Sequence, residues 1–510
     1  MTTRPRLSHV STVIAAALVA AVALSGCSAA GGTKSESSAL TLAASFDFQS
    51  FDPGELTTGG EAPQYWMPVY DTLLTAEPDG SLSPGLATSW EYNDTNTVLT
   101  LNLRDDVTFS NGEKFDAAAV KAAIEHAAAG SGADKWRSAS ISEVKVISPT
   151  QVEFTLAQPD PYLLTNLAFS AGAIGAPDAL ENPDIKTNPV GSGPYVLDTA
   201  ATTIGSEFVY TRNPDYWNSE AWPYDKISIK LIADLTARVN AVKSGQVDGA
   251  WIDEATSKGF DENNFTMHTD PVDWVGVNIA DRDGQTQPAL ADVRVRQAIA
   301  MAFDREAILE NVDNGAGVVT EQMWSEGTAA YDPSLEGTYP YDPARAKELL
   351  AEAGYPDGFD VELADFSVRA KYQPILKQYL AAIGIRVTYV PINPANLFEE
   401  LANPRFTLQI ASIGGGADSW DNLTTVLPDG FFNPFHTQTP ELDAIVKKIR
   451  STSGDEQAKA YQEANRYVTD NAWVVPWYKL DSFYVTTSDT TTERLFGSVS
   501  PLIRSFAPAS

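Results

Sequence analysis

The chain has 510 residues, which is too many for one ordinary hydrophobic core, so we expect two or three lobes. A formal net charge of −32 argues against nucleic acid or an anionic membrane surface as a binding partner, because both favour a basic face. The chain has a single cysteine, Cys27, and four histidines without ligand spacing, so we expect no internal disulfide, no structural metal site and no cofactor.

Residues 1–26 are predicted to be a signal peptide. Arg4 and Arg6 precede an apolar run over 14–24, which is shorter than the roughly 20 residues of a spanning helix. Small residues directly before Cys27 are typical of a bacterial lipoprotein signal, so we predict cleavage before this residue and a lipid anchor on it. The competing interpretation is a buried structural cysteine. Residues 27–39 have the Ala/Gly/Ser-rich composition of a flexible tether.

The first half of the folded chain alternates strands with one clear helix. Residues 40–46 begin with apolar alternation and predict a first strand, and Leu residues alternate with polar ones over 99–103. Asp116 is a plausible cap for a helix over 117–129. Segments 141–147 and 151–156 predict a hairpin.

Residues 188–195, Asn-Pro-Val-Gly-Ser-Gly-Pro-Tyr, cannot lie inside a helix or a central strand. Gly191 and Gly193 permit backbone angles that other side chains forbid. The segment is either a tight surface turn or the point where the chain passes from one lobe to another.

The second half carries clear helix signals. Asp292 caps one predicted helix, and Asp342 with a following proline opens another that Gly354 ends. A helix over 372–383 then leads through a glycine to a strand over 385–390. This helix–glycine–strand alternation predicts βα units and a sheet rich in parallel strands.

Several motifs occur in a familiar order: Gly-Ser-Gly-Pro-Tyr at 191–195, Asn-Pro-Asp-Tyr-Trp at 213–217, Ser-Gly-Gln-Val-Asp at 244–248 and Asp-Val-Arg-Val-Arg-Gln-Ala at 292–298. The order resembles the extracytoplasmic solute-binding proteins of ABC importers, specifically the peptide/nickel type of family 5, although Ser192 stands where that family usually has threonine. The resemblance implies an α/β, two-lobed fold like that of periplasmic binding proteins, with a hinge and an extra inserted small domain.

The resemblance also implies a division of the chain. Residues 40–80, 188–279 and 480–510 would form the first lobe, residues 81–187 the inserted small domain, and residues 280–479 the second lobe. It further implies a monomer, anchored by lipid outside the cytoplasm on the cell surface or in the periplasm. Such a protein captures a peptide between its lobes by hinge closure and delivers it to permease subunits.

One carboxylate is the leading candidate for ligand binding. In oligopeptide binders of this family an aspartate after a strand end holds the ligand's α-ammonium, and Asp418 matches that position after three glycines. Its competing role is to cap a turn. Trp420 is a candidate aromatic wall beside it. Arg369 lies where dipeptide binders have an arginine for the ligand carboxylate, or else it is a solvated arginine at a helix start.

Three further aromatic residues are candidate walls of the ligand site, although each could equally belong to a packed core: Tyr65, Trp251 and Trp274.

An enzyme is the alternative from another class, such as a secreted lipoprotein hydrolase. The sequence contains no Gly-x-Ser-x-Gly elbow, no His-Glu-x-x-His and no phosphate loop, so we expect no catalysis. A third interpretation keeps the binding fold with a metal chelate or an oligosaccharide as ligand.

Overall fold

The computed structural model describes residues 38–132, 134–365, 367–393, 400, 402–414 and 419–509. Cys27 and Asp418 therefore lie outside the described residues. The strands are β1 (Ala39–Ala44), β2 (Leu74–Ala76), β3 (Leu82–Pro84), β4 (Ala87–Tyr92), β5 (Val98–Leu103), β6 (Ile141–Ser148), β7 (Gln151–Leu156), β8 (Tyr195–Leu197), β9 (Glu207–Arg212), β10 (Lys226–Leu231), β11 (Gly249–Ile252), β12 (Phe265–Ile279), β13 (Gly317–Val319), β14 (Asp360–Asp365), β15 (Arg386–Pro391), β16 (Leu408–Gly414), β17 (Val474–Thr487), β18 (Thr490–Thr491) and β19 (Ala507–Pro508).

The α-helices within the same residues are α1 (Ala62–Trp66), α2 (Ala117–Ala129), α3 (Leu163–Asn166), α4 (Pro177–Leu180), α5 (Leu235–Lys243), α6 (Glu254–Ser257), α7 (Val293–Ala300), α8 (Arg305–Asp313), α9 (Pro343–Glu352), α10 (Gln373–Ala382), α11 (Ser419–Thr424), α12 (Pro440–Ser451) and α13 (Gly454–Asp470). Across this described part of the chain, every helix is too short or too polar to span a bilayer.

The largest sheet has the strand order β16-β12-β17-β11-β1-β10-β9-β8, with β13 on the side of β17. Only the pairs β1–β10 and β1–β11 are parallel. The prediction of a parallel-rich sheet is therefore wrong for this sheet, which is mixed and mostly antiparallel. The predicted helix–glycine–strand unit does exist, but its strand β15 pairs in parallel with β14 in a separate two-stranded sheet.

Two long antiparallel strands, β12 and β17, run through the centre of the large sheet. They pair from Phe265 opposite Thr487 to Asn278 opposite Val474, with register shifts after Pro271 and after Val275. Strand β12 is 15 residues long, and its last six residues, 274–279, are all buried. The first half of β12 is only partly buried and carries polar residues, so it lacks the apolar signal of a core strand.

The segment 81–187 contains its own four-stranded sheet in the order β4-β5-β7-β6. The predicted strand over 99–103 and the predicted hairpin are confirmed as β5, β6 and β7. Helix α2 has the predicted bounds, and the Asp116 side chain accepts hydrogen bonds from the backbone N–H groups of Ala118 and Ala119. Val120 and Ile124 on α2 are buried against the sheet.

Helix caps in the second half also follow the sequence. The side chains of Asp292, Asp304 and Asp342 accept hydrogen bonds from the first turns of α7, α8 and α9. Gly354, just after α9, has φ +94°, which is the left-handed region that favours glycine at the end of a helix.

The turn at 191–195 is glycine-rich because it passes very close to another part of the backbone. A Cβ atom on Gly191 would lie 2.1 Å from the carbonyl oxygen of Val69, and one on Gly193 would lie 2.5 Å from the carbonyl carbon of the same residue. Neither glycine has a positive φ. Their role within this molecule is therefore close approach rather than unusual backbone angles, and after this turn the chain enters β8 at the edge of the large sheet.

Candidate functional site

The leading candidate residue, Asp418, lies in the sequence between β16 and α11. Asp418 itself is outside the described residues, but the helix start that follows it is firmly held. Ser419 accepts a hydrogen bond from Trp324 Nε1 through its carbonyl oxygen (2.9 Å) and one from the Ala330 N–H through its hydroxyl oxygen (2.9 Å).

Trp420 and Trp274 lie in one buried cluster together with Trp324. The side chain of Trp420 is 5% exposed, and the guanidinium of Arg450 lies 5.0 Å from its ring centre. Trp274 is fully buried, and its Nε1–H has no hydrogen-bond partner in the structure. A buried unpaired donor costs free energy.

Tyr65 and Trp251 lie in a second cluster. Tyr65 is fully buried, stacks on Phe48 with ring centres 5.0 Å apart, and donates a hydrogen bond to the Phe46 carbonyl oxygen. Trp251 is partly exposed and donates from Nε1 to Ser482 Oγ over 3.1 Å. The structure thus places the four predicted aromatic residues in two clusters rather than around one point.

Arg369 lies in a short 3-10 helix, Ser367–Tyr372, but its side chain is outside the described part of the structure. Its contact with a ligand carboxylate therefore stays a prediction.

Lys479 is a charged residue near this site that the sequence reading missed. It lies on β17 opposite Trp274, and its Nζ donates to the Met323 carbonyl oxygen over 2.5 Å. Burial lowers the pKa of Lys479 to about 7, with Asp273 and Glu336 opposing that effect. A single lysine in the otherwise apolar first part of β17, residues 474–480, is the signal that could have identified it.

Contacts also join the predicted small domain to α11. Arg137 donates to the Asn166 side chain over 2.9 Å and forms an ion pair with Asp134. Asp421 on α11 is close enough for its charge to interact with Arg137, and burial raises the pKa of Asp421 while Arg137 opposes the rise. Tyr162 from the small domain packs within the cluster that contains Trp420. None of these residues has a sequence signal of its own.

The family motifs named above converge on one carboxylate, that of Asp71. Asp71 accepts hydrogen bonds from Ser192 Oγ (2.9 Å), Tyr216 OH (2.9 Å) and Trp217 Nε1 (3.0 Å). Burial raises the pKa of Asp71 to about 6, although all three bonds lower it. The side chain of Asn213 donates to the Gly193 carbonyl oxygen over 2.9 Å, which ties the two motifs together directly.

Within the described ranges, no cluster of three or more His, Cys, Asp or Glu side chains is placed to hold a metal ion. The arrangement offers aromatic surfaces, buried N–H donors and isolated charges, which are groups that bind and orient a solute.

Comparisons with known proteins agree on one family. Residues 81–438 match the bacterial extracellular solute-binding proteins, family 5 middle region. The glutathione-binding protein GsiB of Salmonella typhi is 30% identical over 442 residues, which cover 81% of this chain and 82% of that one. The alignment with the protein of the same name from Salmonella paratyphi A is 31% identical and covers 62% of each chain.

Solved structures show the same architecture. HbpA2 from Haemophilus parasuis has a TM-score of 0.81 at 20% identity, covering 92% of this chain and 100% of that one. The periplasmic binding protein DppA from Helicobacter pylori, in complex with the peptide STSA, has a TM-score of 0.74 at 21% identity, covering 92% and 98%. The fold is therefore the two-lobed α/β fold of periplasmic binding proteins, as the motifs predict. With a family match over most of its length, the chain belongs to the bacterial extracellular solute-binding proteins of family 5, which bind solutes for ABC importers and are not enzymes.

Proposed function

We propose that this protein captures a peptide between its two lobes and delivers it to the permease subunits of an ABC importer. The observation that carries the proposal is the firmly held start of α11, where Ser419 bonds to Trp324 and Ala330, because Asp418 directly precedes Ser419 in the sequence. A carboxylate can bind an ammonium group through a charge-assisted hydrogen bond. The relative's name, glutathione-binding protein, and the peptide bound by DppA support a peptide ligand.

In this proposal Asp418 binds the ligand's α-ammonium and Arg369 binds its carboxylate. Tyr65, Trp251 and Trp274 in the first lobe and Trp420 in the second lobe would contact ligand side chains from opposite sides. Closure would proceed by bending of β12 and β17, which the ligand favours by contacting both lobes at once. Their register shifts lie close to the middle of β12, where a sheet bends most readily.

We also propose that Cys27 carries a lipid anchor and that the protein works as a monomer outside the cytoplasm. The signal-like residues 1–26 and the single cysteine directly after small residues support the anchor.

A thermal-shift screen tests the binding function. The chain from Ser28 onwards is screened with glutathione, di- to hexapeptides, sugars and metal chelates, because a solute that binds only the folded state raises the unfolding midpoint. We expect a rise with peptides that Asp418→Ala reduces, corresponding to a loss in affinity of at least about tenfold. Asp455→Ala, at an exposed site at the start of α13, is the matched control and should keep the shift. A rise with sugars or chelates alone would contradict the peptide ligand and the role of Asp418.

A further inference from the structure

A groove of about 1080 Å³ separates the predicted small domain from the second lobe. We call it the side groove. One wall is formed by residues within 136–166, and the other by residues within 420–451. Its volume is slightly above the range for small-molecule sites, roughly 300–1000 Å³, so it is large enough for several residues of a peptide.

Aromatic rings form both walls of the side groove. Trp136 is 45% exposed and stacks on Tyr162, with ring centres 6.4 Å apart and planes 11° apart. Trp420 lines the opposite wall. Large exposed aromatic surface facing a second aromatic wall favours side chains of varied shape, because the contact is apolar and needs no fixed hydrogen-bond pattern.

Arg450 on α12 lines this groove, and its guanidinium N–H groups are available to bind a ligand. Its guanidinium stacks over Trp420, and its Nε–H is buried without a hydrogen-bond partner. Among the described residues it forms no ion pair and no hydrogen bond. Lys448 on the same helix, by contrast, donates to Glu463 over 2.7 Å. A stacked guanidinium is held in one plane, which suits a planar carboxylate that accepts two bonds at once.

The opposite wall offers a second unsatisfied group. The hydroxyl oxygen of Ser140 is buried and has no hydrogen-bond partner, and Ser140 lines the same groove. The carboxylate of Asp160 is close enough to attract Arg450 but forms no ion pair with it, and it instead accepts a hydrogen bond from the Tyr162 N–H over 2.9 Å. The guanidinium of Arg450 on one wall of the groove and the hydroxyl of Ser140 on the other are therefore both unpaired.

We propose that the side groove is an extension of the ligand site, in which Arg450, in place of Arg369, binds the C-terminal carboxylate of a peptide longer than a dipeptide, whose last side chains contact Trp136 and Trp420. The inference rests on the proposed peptide function. It adds that the side groove binds the C-terminal end of the peptide. Ser140 would donate to the carboxylate from the other wall. Asp160, Asp429 and Asp443 also line the groove, so a ligand with net negative charge beyond its one carboxylate would be repelled.

The test compares two forms of one peptide. A pentapeptide that raises the unfolding midpoint in the screen above is made as the free acid and as the C-terminal amide, and both are titrated calorimetrically into the chain from Ser28 onwards. We expect the acid to bind at least about tenfold more tightly than the amide, because a charge-assisted bond is lost in the amide. Arg450→Gln should remove this preference, Arg450→Lys should keep part of it, and the matched control Lys448→Gln should keep all of it.

Equal affinity for acid and amide in the unmodified chain would overturn the inference while leaving peptide capture intact. An acid preference that survives in Arg450→Gln would overturn it as well. If Arg450→Gln and Asp160→Asn weaken both peptides by the same factor, Arg450 pairs with Asp160 on closure and is not a ligand residue. If no peptide binds at all, the proposed function fails and the inference fails with it. Unfolding midpoints of the unliganded variants show whether each one is folded.

Discussion

Asp71 accepts hydrogen bonds from three side chains that lie at least 121 residues away in sequence. The motifs that carry those partners, at 191–195 and 213–217, are visible in the sequence as separate turns. Their common target is not visible, because Asp71 lies in an ordinary-looking stretch after a tyrosine. The hydroxyl of Ser192 has a clear role within the glycine turn, because its Oγ–H donates a hydrogen bond to the buried carboxylate of Asp71.

Asp71 should make stability depend on pH in a way that Asp71→Asn removes. Its native pKa of about 6 is above the roughly 3.9 of an unfolded aspartate, so the native state binds the proton more tightly. The resulting stability is fully present below about pH 4 and is lost as the pH rises through about 6. Between pH 4 and pH 7 the unfolding free energy of the unmodified chain should fall relative to the variant by up to about 3 kcal/mol.

Urea denaturation of the unmodified chain and of Asp71→Asn at several pH values measures the difference between their unfolding free energies. Asp94→Asn, at an exposed position, is the control and should show no such change. A difference that stays flat or increases with pH would show that Asp71 is charged and well stabilised in the native state.

At the scale of single elements, the sequence predicts local structure well and pairing poorly. Caps at Asp116, Asp292 and Asp342 set helix starts because they act on the nearest backbone N–H groups. Strand partners depend on residues far away in the chain, so the mixed order of the large sheet and the full length of β12 could not be inferred. The same contrast holds for the candidate site. The sequence identifies the candidate aromatic residues, but it does not predict that they lie in two separate clusters.

The glycine turn gives a prediction at this scale. Gly193→Ala should lower the unfolding free energy by about 3 kcal/mol, because its Cβ would lie 2.5 Å from the carbonyl carbon of Val69 and backbone would have to move. Gly59→Ala is the matched control: its nearest neighbour is Thr57 Oγ1 at 3.7 Å, so we expect a change below about 1 kcal/mol. Chemical denaturation compares the two, and equal small effects would show that the turn can shift away from Val69.

At the scale of the whole molecule, the fold class followed from the order of several motifs, none of which is decisive alone. The two-lobed architecture is confirmed by the structural likeness to HbpA2 over 92% of this chain. The domain boundaries and the ligand residues remain predictions. Ligand chemistry depends on loop geometry and on groups from several segments, such as Arg450 and Ser140, which no local pattern connects.

The proposed anchor gives a prediction for the whole protein in a bacterial host. Cys27→Ser should release the chain from the membrane fraction, because stable anchoring requires acyl chains at this residue and no other cysteine is present. Cell fractionation and metabolic labelling with palmitate measure the outcome. An unmodified chain that takes up no label, or a variant that stays with the membrane, would contradict lipidation at Cys27.

Strand β17 has a consequence for the order in which the molecule folds. It lies between β12 and β11, which do not pair with each other, so it alone joins the strands of the large sheet into one surface. Because β17 is also the last long strand, a chain that is still emerging holds two unconnected half-sheets, whereas the four-stranded sheet of 81–187 already has all its strands. Completion of the native structure must therefore wait for the C-terminal segment. For an exported chain this timing is useful, since a protein that cannot finish folding early remains able to cross a membrane unfolded.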